Sequence, residues 1–155
     1  MDIKNKKAEE VMLNIFGVQE IDGERDVVEL TTGGRYIERD DKIYIEYKDY
    51  DTDKQADGIS NIVKVEGKKR VTIIQKGGTS RLTFESGQRH QCHYNTGAGA
   101  IWLGVFTEQI NSNLHDGSGD ISVKYTLDCN SDFLSKNEFK IKVKTKGDAK
   151  NATCD

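Results

Sequence analysis

The sequence predicts an all-β fold: a single antiparallel up-and-down β-barrel of about 8–10 strands, wide enough to enclose a side-chain core or one small ligand. Three observations carry this expectation. Apolar and polar residues alternate with a period of two along most of the chain, the mark of half-buried antiparallel strands. Gly, Asp and Ser turn signals recur about every 10 residues. No segment shows an apolar stripe at helical spacing, so no helix is at hand to cover a sheet, and closure is the remaining way to hide its edges.

The elements follow in order. The first strand is expected over 9–20, with Val11, Leu13 and Ile15 on one face and Met12, Phe16 and Val18 on the other. Asp22-Gly23 turns it into a strand over 25–38. Gly33-Gly34 break that strand, as glycines do at a bulge or barrel corner. After Asp40-Asp41, the strand over 42–49 alternates Ile43, Ile45 and Tyr47 with Tyr44, Glu46 and Lys48. An acidic loop, DYDTDKQADG, covers 49–58. Strands over 59–66 and 69–76 flank Glu66-Gly67-Lys68, and Gly77-Gly78 leads into 79–86, where Leu82 and Phe84 oppose Arg81, Thr83 and Glu85. Ser86-Gly87 precedes a strand over 88–96, and Gly97-Ala98-Gly99 reads as a barrel corner before 99–109. Gly117-Ser118-Gly119 opens 119–129, which sets Ile121, Val123, Tyr125 and Leu127 on one face. The last strand, over 137–146, alternates Phe139, Ile141 and Val143 with Lys140, Lys142 and Lys144. Residues 9–146 thus form one barrel domain, with residues 1–8 expected as a flexible N-terminus and 147–155 as a disordered tail.

Composition narrows the function. A chain of 155 residues can fold as one domain without metals or disulfides. Its 23 basic and 26 acidic residues give a formal net charge of −3, which is no nucleic-acid footprint and disfavours an RNA-binding reading of the barrel's aromatic side chains. Cys92, Cys129 and Cys154 are odd in number and widely spaced, which suits free thiols in a reducing cytoplasm. The N-terminal stretch has no signal-peptide apolar core, and no run approaches the ~18 apolar residues of a membrane span. A cytoplasmic protein with no membrane partner is expected.

Catalytic signatures are missing. There is no G-x-S-x-G elbow and no glycine-rich phosphate loop ahead of a helix. The carboxylates of the 49–58 loop have nothing to raise their pKa values. The reading therefore leans away from an enzyme, names no catalytic residue and expects no cofactor. On a strand, His90 and Cys92 share a face while His93 points away, too few ligands for a zinc site, so no metal is expected. Arg81 faces away from Leu82 and Phe84 and reads as a surface charge.

Polar residues at inward positions are the stronger signal. Gln75 shares the face of Val71 and Ile73, Tyr47 that of Ile43 and Ile45, and Tyr125 that of Ile121 and Val123. Tyr94 and Thr96 share a face with Cys92. Buried unpaired, such groups cost free energy. Either they satisfy one another, or they converge on a ligand. Tyr47, Tyr94 and Tyr125 would then supply ring walls and hydroxyls, and Gln75 and Thr96 would orient the ligand. The strand over 99–109 raises a separate question. Ile101, Leu103 and Val105 face one way, and Trp102 and Phe106 the other. The outer pair is covered within a curved sheet, forms a subunit interface, or binds something else apolar.

The ordered segments GGRYIERDDKIYIEYKDYD, ISNIVKV, VTIIQKGGTSRLTFESG, HYNTGAGAIWLGVFT and GDISVKYTLD resemble the YwiB-like proteins, small bacterial proteins of unknown function. The resemblance spans roughly residues 10–145. Its best matches are the tyrosine-rich third strand, Lys64-Val65, the run Arg81–Phe84, the Y-x-T-x-x-G at Tyr94–Gly99 and the Y-x-L at Tyr125–Leu127. It implies a calycin-like, lipocalin-type barrel and a cytoplasmic bacterial setting, with no established activity. Two departures stand out. Family members tend to carry an arginine before the glycine where this chain has Gln75-Lys76-Gly77, and a proline where Gly97 stands. A function carried by that arginine would be absent or relocated here. The expectation is a non-enzymatic binder of a small, partly apolar ligand in the barrel interior. The alternative is a protein-interaction module, homodimeric through the Trp102/Phe106 surface.

Overall fold

The computed structural model describes residues 8–49, 59–76, 80–96 and 99–146, with backbone alone at 49, 59, 76, 95 and 96. Ten antiparallel strands form a closed barrel: β1 (Glu9–Ile21), β2 (Glu24–Arg39), β3 (Lys42–Asp49), β4 (Ile59–Glu66), β5 (Arg70–Lys76), β6 (Ser80–Glu85), β7 (Arg89–Thr96), β8 (Gly99–Ser112), β9 (Gly119–Cys129) and β10 (Asp132–Thr145). Each strand pairs with its neighbour in sequence, and β1 pairs with β10 from Val11↔Thr145 to Glu20↔Lys136. The expectations for residues 1–7, 147–155 and the acidic segment 50–58 lie outside the described residues.

Turn chemistry sets the hairpins. Asp40-Asp41 and Asn130-Ser131 hold two consecutive positive φ angles, as does Asp22-Gly23. These are the twisted two-residue turns that match the twist of their flanking strands. Asn130-Ser131 carries no glycine, and β10 accordingly begins at Asp132, five residues ahead of the expected start at 137. The expected corner at Gly97-Ala98 lies outside the described residues; the β7–β8 ladder ends at Thr96↔Gly99. The expected break at Gly33-Gly34 is corrected: β2 runs unbroken through both glycines. Gly34 is needed for close approach, because a Cβ there would sit 2.7 Å from both Leu13 Cδ1 and the Glu46 carbonyl oxygen.

The apolar faces meet inside. Leu13, Ile45, Val63, Val71, Phe84, Val105, Ile121, Val123 and Ile141 are buried with Val11, Val65 and Val143. The rings of Phe84, Tyr125 and Phe139 pack edge to face, with Phe84 4.7 Å from Tyr125 and 5.4 Å from Phe139. One end of the barrel is closed. There Leu114, in the β8–β9 connection, packs on the core, and buried Tyr36 donates its hydroxyl to Glu38 Oε1 at 3.4 Å. Burial, then the Glu38 charge, pushes the Tyr36 phenol up to about 12.

The ring of strands is thinnest between β6 and β7, which share one ladder pair, Arg81↔His93. Side chains hold the rest of this seam. The Thr83 amide donates to Cys92 Sγ at 3.4 Å, and His90 Nε2 lies 2.8 Å from Glu85 Oε1. The Gly87 amide donates to the Thr107 carbonyl and Thr107 donates to Gln88, so β8 reaches past the seam to the β6–β7 turn.

Candidate functional site

Cross-strand register gathers most of the inward polar residues into one row. Tyr47 lies opposite Asn61, Asn61 opposite Gln75, and Gln75 opposite Ser80. The Arg81↔His93 pair, extended by one residue, sets Ser80 beside Tyr94, which lies opposite Ile101. Hydroxyl and carboxamide groups thus run across five adjacent strands near one end of the barrel. Beneath them lie two apolar rows. The first is Ile45, Val63, Ile73 and Leu82, and the deeper one is Ile43, Val65, Val71 and Phe84.

Exposure varies from strand to strand along the row. Asn61 and Ser80 are 6% and 5% exposed, Tyr47 and Gln75 are half-buried, and Tyr94 is 39% exposed. The deeper row is sealed at Val65, Val71 and Phe84, whereas Ile73 and Leu82, next to the polar row, are only half-buried. Ile45 and Val63 of the nearer row are nevertheless fully buried and Ile43 of the deeper row is half-buried, so among the described residues the most exposed member of these rows is Tyr94. A cleft of about 300 Å³ lies on the outer side of β2–β4, lined by Thr32–Arg35 of β2, Glu46–Lys48 of β3 and Ser60.

Tyr47, Gln75 and Tyr94 fall along this one row, on β3, β5 and β7. Tyr125 does not join the row. It stands on the opposite wall, opposite Thr107 and Asn137, with its ring packed on Phe84 and Phe139. Burial pushes its phenol up to about 12, and the charge of Tyr94 adds to this. The Thr96 side chain lies outside the described residues. Asn61 and Ser80 are additions from the structure. The signal for both was in the sequence: Asn61 alternates in phase with Val63 and Val65, and Ser80 with Leu82 and Phe84.

The outer face of β7–β9 is built differently. Trp102 and Phe106 are 58% and 37% exposed. His93 meets Trp102 edge to face at 5.2 Å. Between the two aromatics stands Gly104, over which Arg89 reaches Asp128 by two hydrogen bonds, Nε–Oδ2 at 2.9 Å and Nη2–Oδ1 at 2.6 Å. A Cβ at position 104 would overlap that guanidinium. The bidentate bond holds the Asp128 carboxyl below the usual carboxylate range. The outer residues of β1 are covered better. Phe16 is half-buried, with Lys142 Nζ 5.8 Å from its ring centroid.

Burial raises the Cys92 thiol, which favours the unreactive protonated form. Among the described residues, no three His, Cys, Asp or Glu side chains are grouped to hold a metal ion.

Comparison with known proteins agrees with this architecture. The model of a domain of unknown function, DUF1934, matches residues 13–141. The chain is 29% identical over 126 residues to the uncharacterized beta-barrel protein YwiB of Bacillus subtilis (strain 168), covering 79% of this chain and 84% of that protein. The crystal structure of the ywiB protein from Bacillus subtilis superposes with a TM-score of 0.74 at 27% identity, over 92% of this chain and 96% of that one.

Proposed function

Since the chain belongs to the DUF1934 family of β-barrel proteins of unknown function, we propose that it is a non-enzymatic binder of a small, partly apolar ligand at the open end of its barrel. The observation that carries this is the row Tyr47–Asn61–Gln75–Ser80–Tyr94 above an apolar floor. An apolar-walled mouth with a few converging polar groups is the usual form of a small-molecule site, and barrels of similar width hold one such ligand. The ligand's apolar part would rest on Ile73 and Leu82, and its polar end would meet Gln75 and its neighbours.

Native mass spectrometry of protein taken directly from cells tests this. A bound small molecule should appear, and Gln75→Leu should release it while Trp102→Ala retains it. Folded protein that carries no adduct, and whose melting temperature no compound in a broad metabolite panel raises, would remove the reading.

A second reading has its own observation, the exposure of Trp102 and Phe106. On it, the outer face of β7–β9 is a contact between copies of the chain. Size-exclusion chromatography of the wild type and Trp102→Ala decides it. A concentration-dependent dimer that the substitution dissolves supports the contact, and a monomer at every concentration rejects it.

A further inference from the structure

We infer that the projecting edge of β2 pairs with the same edge of a second copy of this chain, antiparallel and about a two-fold axis at Val27. Among the described residues, β3 pairs with β2 only from Gly34 to Arg39, whereas β1 pairs with it from Glu24 to Tyr36. Over Glu24–Gly33 the ladder thus runs along one side alone. Glu24 through Glu29 are all exposed, whichever face they occupy, with Val27 at 60% and Val28 at 67%. Val28 is in phase with the interior, since Gly17 stands opposite both Val28 and Phe139, yet the β1–β2 hairpin carries it past the barrel wall. This contact is separate from Trp102 and Phe106, which lie on β8.

Hairpin geometry fixes which backbone groups face outward. The two-residue turns Asp22-Gly23 and Asp40-Asp41 make Ile21↔Glu24 and Arg39↔Lys42 bonded pairs. Counting from either turn, Arg25, Val27, Glu29, Thr31 and Gly33 aim their N–H and C=O groups away from β1. Such a row is a ready template for another strand. A second β2 meets it only with these residues opposite one another. Charge then selects the register. Axes at Arg25, Asp26 and Glu29 each set like charges face to face, and an axis at Val28 leaves Arg25 opposite Thr31. The axis at Val27 sets Arg25 opposite the second copy's Glu29 twice over, with valine against valine between them. All three side chains share the outer face, opposite Glu20, Val18 and Phe16 of β1. Arg25 thus has carboxylates on both sides, and its five donors can serve both. Glu24–Leu30 of the two copies then overlap, adding about six backbone hydrogen bonds and joining two hairpins into one sheet.

Sedimentation velocity of the full chain from micromolar to millimolar concentration tests this, with amide hydrogen exchange at Val27 followed in parallel. A reversible dimer should form, and exchange at Val27 should slow as it does. Arg25→Glu should raise the dimer dissociation constant at least about tenfold, and adding Glu29→Arg to it should restore the wild-type value. Val27→Pro removes the central N–H without touching the β1 ladder and should give a monomer. Trp102→Ala should leave the dimer unchanged. The pairing is overturned by a monomer throughout, by a dimer that Trp102→Ala dissolves, by one indifferent to Arg25→Glu or not rescued by the double variant, or by a Val27 amide already protected in the monomer. None of these outcomes bears on the ligand site proposed above.

Discussion

Thr107 offers a sharp test of how the interior is packed. It is fully buried, faces inward beside Tyr125, and its Oγ1 has no hydrogen-bond partner within the described chain. An unsatisfied buried hydroxyl costs about 1–3 kcal/mol. Thr107→Val keeps the β-branched shape suited to the strand and exchanges the hydroxyl for a methyl group. The desolvation penalty disappears, and apolar burial increases. Set against some crowding from the methyl, the net gain should be about 2 kcal/mol. In a domain of this size each kcal/mol moves the melting temperature by about 2–4 °C, so the variant should melt about 4–8 °C higher. Thr107→Ser keeps the orphan hydroxyl and loses a methyl group, and should melt about 2–4 °C lower. Differential scanning calorimetry of the three proteins, with urea unfolding followed by circular dichroism, reads both effects. A fall in the Thr107→Val melting temperature would mean that the hydroxyl is satisfied in solution, and the reasoning fails.

Other outcomes follow from the same geometry. Spectrophotometric titration of the six tyrosines should show late ionisation, near pH 12, for Tyr36 and Tyr125, and Tyr125→Phe should remove part of that late phase. Because the fold raises these two phenols, their contribution is complete below about pH 10 and is lost as pH rises toward 12, so alkaline unfolding should begin in that window. At the acid end the sign reverses. The His90 hydrogen bond, aided by Arg70, lowers the Glu85 pKa, so its contribution is lost as pH falls below the ordinary carboxylate range. Hydrogen exchange at Thr83 should accelerate there in the wild type; the same acceleration in Glu85→Gln would show that Glu85 is not responsible. Gly34→Ala should destabilise by about 1–3 kcal/mol through overpacking against Leu13, with partial recovery in the double variant with Leu13→Val, measured by urea unfolding.

Much of this structure was legible in the residues themselves, because strand alternation and turn chemistry are local. Phe139-Lys140-Ile141-Lys142 announces one wet and one dry face without reference to any partner. Asp22-Gly23 and Asp40-Asp41 announce hairpins, whereas Asn130-Ser131 lacks the glycine that would have marked it. Alternation also places Tyr47, Gln75 and Tyr94 inward. It cannot say which inward residues meet, because that depends on register accumulated over several strands. Tyr125 shows the limit: it is inward as expected, yet the ring of strands carries it to the far wall against Phe84 and Phe139. Gly34 shows another, since the reason for its missing side chain is Leu13, twenty-one residues earlier in the chain.

The pairing of the first strand with the last dictates how the molecule must assemble. Nine of the ten strand contacts join immediate neighbours and can zip early, each closing a short stretch of chain. The tenth brings Val11 to Thr145, and Glu10 to within 3.3 Å of Lys146, across nearly the whole polypeptide. Over an unstructured chain of that length the closure would cost about 4 kcal/mol by the logarithmic law, and each hairpin formed first shortens the free span. Ring closure is the contact of longest sequence separation, so we expect substitutions at Leu13 or Val143 to slow refolding more than substitutions within a hairpin, as stopped-flow refolding would read.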